Sequence, residues 1–495
     1  MKVQPISRLL WAIPTAALSF WAASCAVALG PGYVIEKQEI RVRFVAKPEP
    51  RIEVAADYQL KNRGTRPLAE LELRLPGRRF RSSGLHAIWD SAELTLTLDP
   101  DTPRNTIAKF AEPWKMASRH TLHLTTEFLP PQAGETSASF SGDAFFLPAA
   151  AWSAGLLPPD GLFGTGGEPP KKWNLLVAVP DGFQIHTSGV QKKTSRKGGE
   201  TVVRAEQGKN DPYPFVISGR YIAAEIGNSS EKLHLWTSKP QDSAKLRDAS
   251  DALGRVMAAY DAAFGARNKE ASQTWIVECP VAAGCSTNLN PRRAKLLGQE
   301  ENERTTAEMI SQDTMVVDLS EGAPALAAGA APSLAASWLG YGQNPAFYEQ
   351  SPPLTMLPAF AAAMGHDAAQ GGDSRTETIR RALRLIPQGE KKDGKTKKEE
   401  DPAVLSVKSF LFFYALQDRF GPETFRRATQ KMLYARRERG FDLNDLIAAF
   451  EEETHQNVAE FVRMWMKQPG VPEEFRARYE GTAAANAEKE KESTR

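Results

Sequence analysis

Histidine is scarce in this chain, at seven of 495 residues, and cysteine is scarcer, at three. Few imidazoles leave few ways to build a metal centre. His120 and His123 form a His-x-x-His pair, but in a strand that odd offset sends them to opposite faces. His366 and His455 stand alone near helix ends, where a surface or capping role is the ordinary one. Excess charge is also missing: 62 Lys and Arg against 60 Asp and Glu leave +2, which gives no reason to expect a nucleic-acid partner. There is no Gly-x-Ser-x-Gly elbow, no phosphate loop and no dinucleotide fingerprint, so the usual sequence signs of an elbow serine or a nucleotide site are absent. No internal repeat is present. Ser286 sits beside Cys285, but no His or acid is placed locally to activate either as a nucleophile.

What is present begins at the N-terminus. Lys2 and Arg8 precede an uncharged stretch from Leu9 to Ile35, and Leu9–Leu29 is apolar apart from Pro14, Thr15, Ser19 and Ser24. A basic start, an apolar middle and small residues at the end form an export signal. Three readings of it stand. The chain is cleaved after Ala26-Val27-Ala28, or lipidated at Cys25 in the box Ala22-Ala23-Ser24-Cys25, or held by an uncleaved anchor, since the run just spans a bilayer. Each makes the chain exported, to periplasm or cell exterior, either soluble or tied to the membrane through its N-terminus. In an oxidising compartment Cys279 and Cys285 can close a short disulfide, or they are two separate buried thiols. Zinc on this pair is disfavoured, because no His or second Cys pair lies nearby.

With 495 residues, 41% of them hydrophobic and 25% charged, the chain is long enough for two or three globular domains. From Tyr33 to about Ile226 the pattern is β. Ile40–Phe44, Leu71–Leu75 and Leu94–Leu98 alternate apolar and polar at period two, with Pro and Gly clusters between strands. After Lys232 the pattern changes. Ser250–Phe264 reads as a helix ending near Gly265, and Thr274–Val277 and Met315–Val317 read as buried strands. From Ala331 the chain is nearly all helical, over Pro353–Met364, Glu377–Leu385, Val404–Phe420, Pro422–Leu433, Leu443–Phe450 and Val458–Trp465. The expected fold class is multidomain α+β, an antiparallel β saddle or sandwich followed by a mixed domain with a mainly helical second half. The expected boundaries are 1–28 for the signal or anchor, 29–226 for the β domain and 227–475 for the mixed domain. A charged loop covers 388–402 and a disordered Ala-, Glu- and Lys-rich tail covers 476–495.

Specific residues narrow this outline. Phe145-Phe146-Leu147-Pro148, the run Lys172–Pro180, and Tyr213-Pro214-Phe215 with Gly219-Arg220-Tyr221 resemble the N-terminal domain of the membrane-alanyl-aminopeptidase family, zinc peptidases with a thermolysin-like catalytic domain. Tyr260 to Gly265 and Trp275–Pro280 are similar to the start of that catalytic domain. Gly284-Cys285-Ser286-Thr287-Asn288 stands where the family carries Gly-Ala-Met-Glu-Asn. Ser337-Trp338-Leu339-Gly340 resembles the end of its zinc helix, and Trp465 with Pro469-Gly470-Val471-Pro472 the close of the domain. The resemblance covers about residues 35–475, without the family's further helical domain.

The resemblance implies a zinc helix with His-Glu-x-x-His, whose two His share a face and whose Glu is the general base. Aligned on Trp338, those positions are Pro332, Ser333 and Ala336. Pro332 suits a first helical turn and implies that the helix starts there. The third ligand falls on Pro358, the residue that captures the substrate's amine on Thr287, and the tyrosine that stabilises the intermediate on Ser406, with Lys408 as anchor. None of these side chains can do its family's work. The expected function is therefore that of an exported, catalytically silent relative that binds a peptide or protein in a cleft lined by Gly284, Asn288, Trp338 and Gly340, with a peptide strand added near Gly284–Asn288. No cofactor is expected, and zinc enters only under the alternative of a working aminopeptidase with an unrecognised metal site. Membrane contact is expected only through the N-terminus.

Overall fold

The structure is a computed structural model that describes residues 32–74, 81–98, 105–130, 140–147, 155–156, 170–208, 214–228, 231–267, 273–280, 307–309, 313–317, 319, 322–339, 354–370, 375–386, 402–435, 441–468 and 470–480. Its first strand, Tyr33–Val45, buries Ile40, Val42 and Phe44 and exposes Glu39, Arg41 and Arg43. That alternation is what one buried sheet face requires. Arg51–Asn62 pairs with it antiparallel, and Trp173–Pro180 pairs on its other side in parallel. The eight-stranded sheet runs Val190–Lys197, Glu200–Glu206, Trp173–Pro180, Tyr33–Val45, Arg51–Asn62, Arg119–Leu129, Arg81–Trp89, Ala92–Glu93. The parallel pair corrects the expectation of a wholly antiparallel domain. A crossover between strands so far apart in sequence leaves no local trace.

A four-stranded sheet (Gly155–Leu156, Leu68–Arg74, Asn105–Trp114, Leu96–Leu98) closes over the inner face. Leu71, Leu73, Ala108 and Trp114 from it share one core with Val42, Phe44, Leu124, Phe128 and Val177 of the large sheet. The β domain is thus a sandwich. Its second core face is the three-stranded sheet Gln184–Thr187, Val216–Gly219, Ala144–Leu147. The last two of these strands are buried throughout. Phe145 and Leu147 point into the sandwich core, whereas Ala144 and Phe146 point into a smaller cluster with Trp236, Val277 and Val316. This sheet joins the two halves of the molecule.

The second half is built on a five-stranded sheet, Ile222–Asn228, Glu231–Thr237, Gln273–Glu278, Thr314–Val317, Ala307–Met309. The expected boundary at 226/227 falls inside its first strand, because pairing changes partners before the composition shifts. Leu235, Ile276 and Met315 face helices, and their neighbours Trp236, Val277 and Val316 face the joining sheet. Helix α1, Ser243–Phe264, lies on the helical side, capped by Asp242 and ended by Gly265 at φ +80°. Among the described residues there follow α2 Ala323–Leu339, α3 Leu357–Gln370, α4 Arg375–Arg384, α5 Pro402–Phe420, α6 Pro422–Ala435, α7 Leu443–Thr454 and α8 Val458–Lys467, and residues 473–480 are helical too, so helix runs past the expected domain end at 475. Phe410, Leu411, Phe412 and Phe413 of α5 are all wholly buried, so this helix is covered on every side there and forms the centre of the bundle.

Candidate functional site

The residues singled out by sequence lie on three helices of that bundle. Helix α2 is rich in alanine and packs on α1 and α3, and α3 packs in turn on α5. Pro332, Ser333, Ala336 and Trp338 are on α2, Pro358 is in the first turn of α3, and Ser406 is in the second turn of α5. Pro332, Pro358 and Ser406 are each half-buried. Gly284, Thr287, Asn288, Gly340, Cys25 and the charged loop short of Pro402 lie outside the described residues, as does Cys285. Cys279 is buried and disulfide-bonded.

Pro332 does not begin its helix. It sits inside Ala323–Leu339, well past the first turn. There it denies the Ala328 carbonyl its helical donor, at a cost of about 3 kcal/mol relative to alanine. Burial of Leu326, Ala327, Ala330 and Ala331 outweighs that cost and draws the preceding turns into the helix. A proline is favoured at the first helical position, and only the packing of an alanine run reveals that the helix started earlier.

The crossing of α1, α2 and α3 is tight. The Tyr260 hydroxyl on α1 donates to the Ala331 carbonyl on α2 at 2.7 Å. Gly365 on α3 faces the same point: a Cβ there would lie 2.2 Å from the Tyr260 hydroxyl and 2.6 Å from the Ala331 Cβ. At the far end of α2, Trp338 is 7% exposed, and its Nε1 donates to Asp261 Oδ1 at 3.0 Å and to the Gly265 carbonyl at 3.1 Å. The Arg267 guanidinium lies 5.4 Å from the Trp338 ring centre. Trp338 is therefore an anchor of the helix packing, held by three partners. Lys408 is wholly buried and donates from Nζ to the carbonyls of Met466 and Gln468, while Trp465 Nε1 returns a bond to the Lys408 carbonyl at 3.1 Å. A cation placed on the last carbonyls of α8 is a favourable end for that helix.

Sequence reasoning missed a second cluster, where the two halves meet. His186, from the joining sheet, and His234, from the five-stranded sheet, stack on Trp275 at 4.2 Å and 4.3 Å between ring centres. His186 Nε2 is 2.8 Å from the Thr314 hydroxyl, which is 3.0 Å from Asp313 Oδ1. A carboxylate is the stronger acceptor for the threonine proton, so the imidazole is assigned as the donor from Nε2. Burial pushes His186 down to about 4, with Asp313 opposing the shift and His234 adding to it. The local signal was slight, a histidine in the short and mostly polar strand Gln184–Thr187.

Four of the other histidines have partners of ordinary kinds, and His86 is exposed. His120 binds Asp90 and His123 binds Asp57, from the two faces of their strand. His455 is the left-handed C-cap of α7, and His366 meets Gln370. Among the described residues no group of three or more His, Cys, Asp or Glu side chains is arranged to hold a metal.

No protein-family model matches the chain, and no curated protein sequence matches it. Solved structures do. An M1 zinc metallopeptidase from Deinococcus radiodurans is 14% identical, with 89% of this chain and 95% of that one covered and a TM-score of 0.51. A mutant of it reaches 15%, 89%, 96% and 0.52, and a mutant bound to its Tyr-Ser-Ala substrate 14%, 89%, 96% and 0.51. The chain therefore has a distant M1 aminopeptidase-like fold, with a sheet-rich N-terminal region and a helical C-terminal part.

Proposed function

We propose that the chain is an exported protein of this fold that binds peptide or protein segments without cleaving them. One observation carries the reading: the places where the family resemblance puts zinc ligands hold Pro332, Ala336 and Pro358, whose side chains have no donor atom. Zinc, which the similar structures' names imply, does not fit that set, because a catalytic site needs three protein ligands and an open position. Ser333 in place of the general base and Ser406 in place of the tyrosine point the same way. The buried anchoring of Trp338 and Lys408 supports a cleft that keeps its walls after losing its chemistry. A peptide would pair with backbone near Gly284–Asn288, where strand addition needs no particular side chain.

The purified full-length protein should carry zinc well below one equivalent per chain, and its release of aminoacyl reporter groups should stay at background with or without added zinc. The pair Pro332→His and Ala336→His should capture zinc weakly and still give no turnover, lacking a base and a third carboxylate. Zinc-dependent hydrolysis by the wild type, abolished by a chelator, would overturn the proposal in favour of a working aminopeptidase. Export is tested separately: full-length chain found in the cytosol with residues 1–28 attached is the result against it, and Cys25→Ala should release the protein from membranes if that cysteine is acylated.

A further inference from the structure

We infer that the end of the large sheet beside the N-terminal apolar run is a membrane-contact face, shaped to meet an anionic phospholipid surface. Gly32 is the first described residue and leads into the strand Tyr33–Val45. Its carbonyl accepts the N–H groups of Arg63 at 2.8 Å and Gly64 at 2.6 Å. Asn62, wholly buried, ties this corner together. Its side-chain amide donates to the carbonyls of Trp114 at 3.0 Å and Arg66 at 3.3 Å, and its Oδ1 accepts from Gly64 N at 2.8 Å. Its main chain bonds Ala117 and Ser118, each at 3.1 Å. One residue thus fixes two turns, 63–66 and 115–118, beside the point where the chain comes in. The strand Trp173–Pro180 starts at the same level, since Lys171 N donates to the Ile35 carbonyl at 3.0 Å and the Lys172 carbonyl accepts from Gln38 N at 2.9 Å.

These turns and starts carry one sign of charge outward. Arg63, Arg66, Lys115, Arg119, Lys171 and Lys172 are all exposed. Met116, at the tip of the second turn, is 52% exposed. The acids at this end are fewer; Glu39 and Glu206, level with Asn174, lie beside Lys37 and Lys192, the latter pair at 3.8 Å. Arg119 binds Glu36 at 2.7 Å and, with Lys61 and Lys171, holds its carboxyl below the usual carboxylate range. His120 and the Thr121 N–H bind Asp90. Glu112 is exposed. A basic rim around one exposed apolar tip is the composition of a surface that rests on headgroups and dips one side chain among them.

Chain length supplies the partner. The apolar run ends at Leu29, three residues before Gly32, a reach of about 10 Å at most when fully extended. From Cys25 the reach is about 25 Å. With the run in a bilayer, the two turns lie within about one headgroup layer of it. Basic side chains near an anionic surface are attracted to it, so the face adds to what the apolar run supplies. This inference rests on the export reading only through the position of that run, and zinc content and peptide hydrolysis are blind to it.

The test is amide hydrogen exchange on the full-length chain bound to vesicles of phosphatidylcholine, with or without phosphatidylglycerol. Exchange in 63–66 and 115–118 should slow several-fold on phosphatidylglycerol vesicles and not on phosphatidylcholine alone. Leu96–Leu98, at the other end of the sandwich, should not change. The variant Arg63→Glu, Lys115→Glu, Lys171→Glu should lose the protection while the apolar run keeps it on the vesicle. Unchanged exchange in both turns on bound, phosphatidylglycerol-containing vesicles overturns the inference, and so does equal protection on both lipids. Protection by soluble polyglutamate and not by phosphatidylglycerol also overturns it, in favour of an acidic polypeptide partner.

Discussion

Gly365→Ala lowers the stability of the helical half by about 1–5 kcal/mol. A Cβ at this position would lie 2.2 Å from the Tyr260 hydroxyl and 2.6 Å from the Ala331 Cβ, and both neighbours are wholly buried. Overpacking of a buried site costs roughly 1–3 kcal/mol, and displacing Tyr260 strands a buried hydroxyl for about 1–3 more. The better helix propensity of alanine returns about 1 kcal/mol. Urea unfolding followed by tryptophan fluorescence reads the loss. The mechanism is specific enough to be separated from a general sensitivity of the bundle: in a Tyr260→Phe background the hydroxyl is gone, and Gly365→Ala should cost clearly less. Equal costs in the two backgrounds would show that the Tyr260 contact is not what the glycine protects.

Acidification from pH 6.5 to 4 removes roughly 3 kcal/mol of stability through His186 alone. The folded chain holds this imidazole neutral down to about 4, whereas unfolded it takes up a proton near 6.5. Between those values the unfolded chain binds more protons, so stability falls as pH falls and levels off below the folded value. A gap of that width, at about 1.4 kcal/mol per unit, gives the figure. Burial sets the shift, Asp313 beside Thr314 opposes it and His234 across Trp275 adds to it. Carboxylates titrate in the same range, so the measurement is a comparison. His186→Gln should lose less stability than the wild type between pH 7 and 4.5. Parallel curves for the two proteins would mean that His186 is protonated without consequence for the junction.

The local signals carried far in this chain because they sit at element ends. The expected helices Val404–Phe420, Pro422–Leu433, Leu443–Phe450 and Val458–Trp465 are observed within a few residues, as Pro402–Phe420, Pro422–Ala435, Leu443–Thr454 and Val458–Lys467. Gly421, the capping box of Asp442 and Asp445, and the N-cap Asn457 mark those ends in single residues. What was not legible depends on partners distant in sequence. The parallel pairing of Tyr33–Val45 joins segments separated by most of the β domain. The stacking of His186 and His234 on Trp275 joins three strands from two sheets. Pro332 was misjudged because a proline is read by its own preference, and the alanines before it declare a helix only once they are buried. Of the candidate site, the sequence supplied the residue types at Pro332, Pro358 and Ser406 and the structure supplied the shared bundle that carries them. Gly284, Thr287, Asn288 and Gly340 lie outside the described residues.

The strand that follows the N-terminal segment lies in the interior of the large sheet, antiparallel to Arg51–Asn62 over Tyr33–Val45 and parallel to Trp173–Pro180 over Gln38–Arg43. A pull on a tethered N-terminus therefore runs along the strand axis and loads two ladders in shear. Many bonds must give way together, whereas a terminal strand at an edge would peel off one pair at a time. Gly32 adds two further bonds, to Arg63 and Gly64, at the point where the load arrives. Under the tethering proposed above, the β domain would serve as a mooring, bearing load at its fixed end without unravelling from it.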